Sequence, residues 1–144
     1  MKVRIKKLNE NAIIPAYAHN TDAGIDLTCV SVSFDQHNNI TYHTGLAFEI
    51  PKGYVGLLFP RSSVYKHNIV MSNSVGVIDS GYRGEVMFKY KYLSDDLKTT
   101  NDCFKIGDRV GQLIILPYPH IELEEVDELS ESDRGEKGFG STGK

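Results

Sequence analysis

The eleven residues that end the chain, Arg134-Gly135-Glu136-Lys137-Gly138-Phe139-Gly140-Ser141-Thr142-Gly143-Lys144, hold four glycines, one aromatic ring, three cations and two adjacent hydroxyls. Glycine has no side-chain bulk and admits positive φ, so such a peptide can lay its backbone N–H groups on an anion while Arg134 supplies charge. A bound phosphate suits it. The alternative is a frayed end, the default for any terminus. Phe139 between two glycines favours the functional reading, because an exposed ring there is unfavourable unless it meets a partner.

Four further clusters carry chemistry. Asp22-Ala23-Gly24-Ile25-Asp26-Leu27 places a small pair before an acid at a strand entry, where Asp also serves as an ordinary turn-maker. In Pro60-Arg61-Ser62-Ser63 a guanidinium and two hydroxyls follow an apolar run ending at Phe59. A helical turn starting there would add free N–H groups and complete a compact phosphate site; a plain N-cap after proline fits the local residues equally well. Asn73 to Glu85 reads as a hairpin with Asp79, Tyr82 and Arg83 crowded at its tip, able to meet a flat polar ring with main-chain donors and acceptors. Asp-Ser-Gly is also common hairpin chemistry. Finally, Gln112 in Gly107-Asp108-Arg109-Val110-Gly111-Gln112-Leu113 is a polar residue entering a very apolar strand, which calls for a hydrogen-bond partner.

The elements that must position these groups are strands. From Glu85 to Tyr92 the chain alternates, with Val86, Phe88, Tyr90 and Tyr92 on one face and Glu85, Met87, Lys89 and Lys91 on the other. Shorter β-rich runs are expected over Val3 to Ile5, Ile25 to Phe34, Leu46 to Ile50, Tyr54 to Phe59, Ile69 to Met71, Gly76 to Ile78, Val110 to Leu116 and Ile121 to Val126. Turn clusters at Asp35 to Asn39, Pro51 to Gly53 and Asp79 to Gly81 divide them. Many short strands at regular spacing predict an all-β sandwich or barrel. One short helix is expected near Ser62 to His67, and order is expected to fade along the acidic stretch from Glu122 to Glu136.

The chain has 144 residues, a formal net charge of −3, 24% charged and 40% hydrophobic residues. That describes one domain with a real core and no general affinity for a nucleic-acid backbone. No apolar run reaches membrane-helix length, and the start, Met1-Lys2-Val3-Arg4-Ile5, lacks the apolar segment of a signal peptide, so the expectation is a protein that stays where it is made. Cys29 and Cys103 lack partners at metal-ligand spacing and are expected to be small buried hydrophobes.

Taken in series, the five segments resemble the motifs of the trimeric dUTPase family (deoxyuridine triphosphate nucleotidohydrolases), over about Asp22 to Gly143. The resemblance implies an all-β, jelly-roll-like β-barrel spanning about residues 1–130 of a single domain 1–144, followed by a flexible lid arm, about 131–144. It further implies a homotrimer with active sites shared between subunits, and a cytoplasmic enzyme that engages neither membrane nor nucleic acid. The substrate would be dUTP, hydrolysed to dUMP and pyrophosphate, which supplies thymidylate synthesis and keeps uracil out of DNA. By this matching, the hairpin residues Asn73, Gly76, Val77 and Ile78 hold deoxyuridine, and Tyr82 lies against the deoxyribose, its ring rather than its hydroxyl crowding out a 2′-OH. Asp79 orients and deprotonates the attacking water. Arg61, Ser62, Ser63 and Gln112 take the triphosphate, and Asp26 stands near Mg²⁺-bound waters, the metal itself having phosphate oxygens and no direct protein ligand. From the arm, Phe139 beside Gly140 stacks on uracil while Arg134, Ser141 and Thr142 reach the phosphates of a neighbouring subunit's site.

Two positions depart from the family pattern. Glu136-Lys137 stands where a further glycine is frequent, and Gly111 where a slightly larger residue is common, a change expected to act through packing. The nearest rival enzyme, a dCTP deaminase, shares the Arg-Ser phosphate segment but needs a catalytic Glu; Glu85 lies after the hairpin, and the Asp79 and Tyr82 pair would have no use. A rival of another class is a nucleotide-sensing regulator whose lid controls a protein partner.

Overall fold

Short strands make up most of the regular structure of the computed structural model, which describes residues 1–37, 39–93 and 103–138. The strands are β1 (Arg4–Lys7), β2 (Ile25–Thr28), β3 (Ser31–Phe34), β4 (Asn39–His43), β5 (Leu46–Glu49), β6 (Tyr54–Phe59), β7 (Ile69–Met71), β8 (Gly76–Ile78), β9 (Met87–Tyr92) and β10 (Arg109–Pro117). A 3₁₀ turn over Ser62–Lys66 stands where the short helix was expected. Two antiparallel sheets, ordered β2-β10-β6-β8 and β3-β4-β9-β7, and a ribbon of β1 with β5 make up the architecture. The fold is all-β and jelly-roll-like. Its sheets do not join into one continuous hydrogen-bonded wall, so the expected barrel is open.

The core lies between the two sheets. Leu27, Leu58, Val110 and Leu113 come from one, and Ile40, Tyr42, Met71, Phe88 and Tyr90 from the other. The Tyr90 hydroxyl donates to the Val110 carbonyl at 2.7 Å, which pins β9 to β10 across the interior and satisfies the one polar atom of that ring. Tyr42, Tyr90 and Phe104 pack edge to face, with centroids 5.6 to 5.8 Å apart. Gly111 is explained here: a Cβ at that position would run into the Phe88 ring. The departure from the family pattern is thus a space filled by a fully buried phenyl group.

The run expected as one strand, Ile25 to Phe34, is two. Cys29 donates its N–H to the Asp108 carbonyl at 2.9 Å, on the β10 side, and Val30 donates to His43 at 2.8 Å, on the β4 side. The chain therefore changes sheets between these residues. A similar handover delays β9: Val86 is buried, but its N–H bonds Leu46 at 2.8 Å before the ladder with β4 begins at Met87. β1 starts at Arg4 rather than Val3, in register with β5. β4 is not among the expected strands, although Asn39-Ile40-Thr41-Tyr42-His43 alternates polar and apolar residues; Asn39 falls in the preceding turn cluster, which leaves a run of only four residues, and in the fold the polar Thr41 is buried together with Ile40 and Tyr42. Ile121 to Val126, expected as a strand, forms none; its residues are exposed, and among the described residues no strand pairs with it. Cys29 is buried as expected, and Cys103 is half-buried. Among the described residues no helix is long and apolar enough to cross a membrane.

Candidate active site

The first cleft, about 500 Å³, opens at the edge of the β2-β10-β6 sheet and is lined by Asp26, Arg61, Ser62, Arg109 and Gln112 among others. β2 and β10 pair so that Asp26 faces Gln112, and β10 and β6 pair so that Gln112 faces Phe59. Two sheet neighbours and the turn after β6 thus converge by register alone. Gln112 finds its partner in the Pro60 carbonyl, to which Nε2 donates at 3.0 Å, fixing the base of the Arg61 turn. Gly24 is required here, since a Cβ would collide with Oε1 of the same glutamine.

Charge in this cleft is arranged around one carboxylate. Arg61 Nε donates to Asp26 Oδ1 at 3.0 Å and Arg109 to Asp26 Oδ2 at 3.1 Å, with Arg61 also reaching Ser63 Oγ at 3.3 Å. Both guanidiniums keep further N–H donors, so the pair can meet an anion while the carboxylate orients them. Asp26 is about three-quarters buried, which shields this ion pair from water more than the surface pairs of the chain.

The second cleft, about 360 Å³, lies against the hairpin and is lined by Asn73, Val77, Ile78, Asp79, Tyr82 and Glu85, with Ser72, Met87 and Lys89 completing it. β7 belongs to one sheet and β8 to the other, so the turn carrying Asn73 crosses between them, and Ser74 takes the left-handed conformation there at φ 59°. Gly76 packs on Leu58, leaving β8 close to β6. At the tip, the Tyr82 N–H closes a turn onto the Asp79 carbonyl at 3.0 Å. Arg83 donates to the Ser80 and Tyr82 carbonyls at 2.7 and 2.9 Å, so it ties the tip from outside. Asp79 is exposed at the mouth of the cleft, where a water can reach it.

The two clefts have no lining residue in common. Within one chain the expected base-and-sugar residues and the expected phosphate residues therefore line separate clefts. Arg134 is exposed in a short turn, where Nε donates to the Lys137 carbonyl at 2.9 Å and Gly135 adopts φ 51°. Phe139, Gly140, Ser141 and Thr142 lie outside the described residues.

The dUTPase family model matches residues 10–143. The chain belongs to the dUTPase family. Relatives include the deoxyuridine 5′-triphosphate nucleotidohydrolases of Nautilia profundicola, 44% identical over the full length of both chains, and of Clostridium novyi, 40% identical over 99% of each. Among solved structures, a mutant dUTPase of Staphylococcus bacteriophage 80alpha with dUpNHpp superimposes with a TM-score of 0.85 at 33% identity, covering 99% of this chain and 98% of the other. A mutant dUTPase from phage phi11 of S. aureus, described with a structural Mg(II) ion, gives 0.75 at 28% identity over 89% and 98%. Like these dUTPases, the chain is a dUTP-hydrolysing enzyme.

Three contributors to the dUTPase clefts were not singled out in the sequence. Arg109 was quoted only as a neighbour of Gln112, yet it shares Asp26 with Arg61. Arg83 was read as part of the hairpin tip without a task. His43, 42 residues before Glu85, gave no signal, because only the fold brings its ring against that carboxylate. Glu85 in turn is occupied on both oxygens, by His43 and by the Gly45 N–H, which leaves it poorly placed to act as the general acid–base of a deaminase.

Proposed function

We propose that this dUTPase cleaves dUTP between the α- and β-phosphorus, with the hairpin cleft of one subunit holding deoxyuridine and the phosphate cleft of another holding the triphosphate. The observation that carries the reading is the separation of the two clefts on one chain, which a homotrimer with shared sites would bring together. Asn73, Gly76, Val77 and Ile78 would present main-chain groups to uracil. A site built to bond one ring edge leaves buried groups unpaired when cytosine enters, and so rejects it.

Arg61, Ser62, Ser63 and Gln112, joined by Arg109, would hold the triphosphate in line with a water at Asp79. Asp79 takes the proton of that water as its oxygen bonds the α-phosphorus; the bond to the bridging oxygen breaks, and pyrophosphate leaves with the electron pair. Positioning and charge neutralisation supply most of the acceleration, as in other phosphoryl chemistry.

Among the described residues no three His, Cys, Asp or Glu side chains are grouped as a metal cage. Mg²⁺ keeps several waters and binds largely through substrate phosphates. Asp26, in the phosphate cleft, would hold it through its waters. When bound, the ion would neutralise charge on the triphosphate. The arm, about 131–144, would close over the site, with Arg134, Ser141 and Thr142 on phosphates and Phe139 on the base, while the region before it, about 1–130, forms the body of a single domain. The enzyme would work in the cytoplasm on dUTP, without membrane or nucleic-acid partners.

Incubation of the purified protein with each deoxynucleoside triphosphate, with dUMP, pyrophosphate and ammonia measured, tests the reading. Pyrophosphate and dUMP are expected from dUTP alone. Ammonia from dCTP would establish the deaminase instead.

A further inference from the structure

Behind the hairpin cleft runs a row of polar contacts that the proposed chemistry does not use. Ser33 Oγ lies 2.9 Å from His43 Nε2, and His43 Nδ1 lies 3.0 Å from Glu85 Oε2. The other Glu85 oxygen accepts the Gly45 N–H at 2.7 Å, where Gly45 turns between β4 and β5 at φ 65°. Thr44 donates to the next carbonyl, that of Val86, at 2.6 Å. Three consecutive residues at the end of β4 and in the turn after it thus hold this segment, His43 and Gly45 through the Glu85 carboxylate and Thr44 through the Val86 carbonyl, in a half-buried setting that shields these bonds from water.

The same backbone holds Tyr82. Its hydroxyl donates to the Glu85 carbonyl at 2.9 Å. To make that bond the ring folds back over Gly84, so closely that a Cβ there would overlap the phenol. Two independent features, a glycine-sized gap and a tethered hydroxyl, thus set where the ring stands at the cleft wall.

We propose that Glu85, clamped by His43 and Gly45, is the positioning residue that fixes the Tyr82 ring and thereby sets the preference for dUTP over UTP. The inference rests on the reading of Tyr82 as the wall against the sugar. It adds that the hydroxyl has a task of its own: the ring excludes a 2′-OH only while its far end is tied down. Nδ1 of His43 faces the carboxylate and Nε2 faces Ser33 Oγ, so the imidazole is held at both ends.

The test is the ratio of kcat/KM for dUTP over UTP in Tyr82→Ala, Tyr82→Phe, Glu85→Ala, Glu85→Gln and the Tyr82→Phe/Glu85→Ala double variant, with thermal unfolding followed alongside. Tyr82→Ala should lower the ratio most. Tyr82→Phe and Glu85→Ala should each lower it about two- to tenfold, the size of one hydrogen bond, and the double variant no further than the larger single one. Glu85→Gln retains an acceptor for Gly45 and should stay near the parent, a rescue that loss of stability alone would not give. A parental ratio in folded Glu85→Ala, with Tyr82→Ala altered, overturns the inference and leaves the sugar-wall reading standing; fully additive effects in the double variant also overturn it. An unchanged ratio in Tyr82→Ala overturns the sugar-wall reading itself. Should Glu85→Ala not fold, Gly84→Ala makes the same test from the other side, because it displaces the ring without touching the carboxylate; a parental ratio there overturns the inference.

Discussion

Arg61 Nε rests 3.0 Å from Oδ1 of Asp26, while the carboxylate's second oxygen belongs to Arg109. One acid thus aims two cations into the phosphate cleft. Asp26→Asn keeps the shape but removes the charge that orients both guanidiniums and would face metal-bound water. The expected outcome is a folded enzyme that needs a higher Mg²⁺ concentration for half-maximal rate and has a reduced kcat, read from metal titrations of initial rate. An unchanged Mg²⁺ dependence would separate Asp26 from the metal.

Asp79→Asn is expected to bind a non-hydrolysable dUTP analogue nearly as the parent does and to lose about 10² to 10⁴ in kcat, the usual worth of a general base. The amide keeps the size and the hydrogen-bonding capacity of the side chain, and Asp79 is exposed, so the fold should not register the change. Calorimetric binding and initial rates decide it. Comparable kcat in both proteins would move the base elsewhere.

The parts legible in the sequence are those where one face of a strand is buried and the other wet. Val86, Phe88 and Tyr90 against Lys89 and Lys91 announced β9, and the Arg61 and Asp79 clusters announced both clefts by residue type. β4 is short, and its first residue belongs to the Asp35 to Asn39 turn cluster; its polar and apolar residues do alternate, but Thr41 is buried together with Ile40 and Tyr42, so residue polarity there does not report which face is wet. The opposite case is Ile121 to Val126, where apolar residues suggest a strand that finds no partner among the described residues. Pattern reports what a strand could bury, not whether a neighbour arrives. Long-range contacts such as His43 with Glu85 or Arg109 with Asp26 depend on register between distant strands, which single residues do not encode.

Alkaline pH should unfold the protein through its buried acids. Burial pushes the Cys29 thiol from its ordinary 9.0 to about 11, and holds the Tyr42 and Tyr90 phenols above the usual range. Each group keeps its proton more tightly in the folded chain than in the unfolded one. Their contribution to stability is therefore complete below the unfolded values and is lost as pH rises through the folded ones. Tm should be flat up to about pH 9 and fall above it, with part of the tyrosinate absorbance appearing only as the chain unfolds. In the native state Cys29 should resist thiol reagents at pH 8 until denaturant is added. Complete tyrosine ionisation ahead of unfolding would show that the core phenols are accessible.

Removal of the arm tests whether this segment closes over the nucleotide, as proposed. Among the described residues every strand of both sheets lies at or before Pro117, and the core ends at Leu113 and Ile115, so a chain stopped after Ser132 loses none of the sheet contacts described. It does lose Arg134 with its turn, together with Phe139, Ser141 and Thr142. Arg134 gives its Nε to the Lys137 carbonyl and keeps its other N–H donors for the phosphate it is proposed to meet, while Glu136 beside it would bring a like charge toward the same anion. The truncated protein should keep the parent's Tm and oligomer mass by light scattering, yet hydrolyse dUTP far more slowly. In the full-length protein, protease should cut this segment first, and a non-hydrolysable dUTP analogue with Mg²⁺ should protect it, since ligand that binds only the closed form draws the population there. Replacing Glu136 by Gly would remove the opposing charge and should lower KM while the truncation raises it. Loss of the oligomer on truncation would make the arm a structural element, and equal cutting with and without the analogue would mean that it does not close.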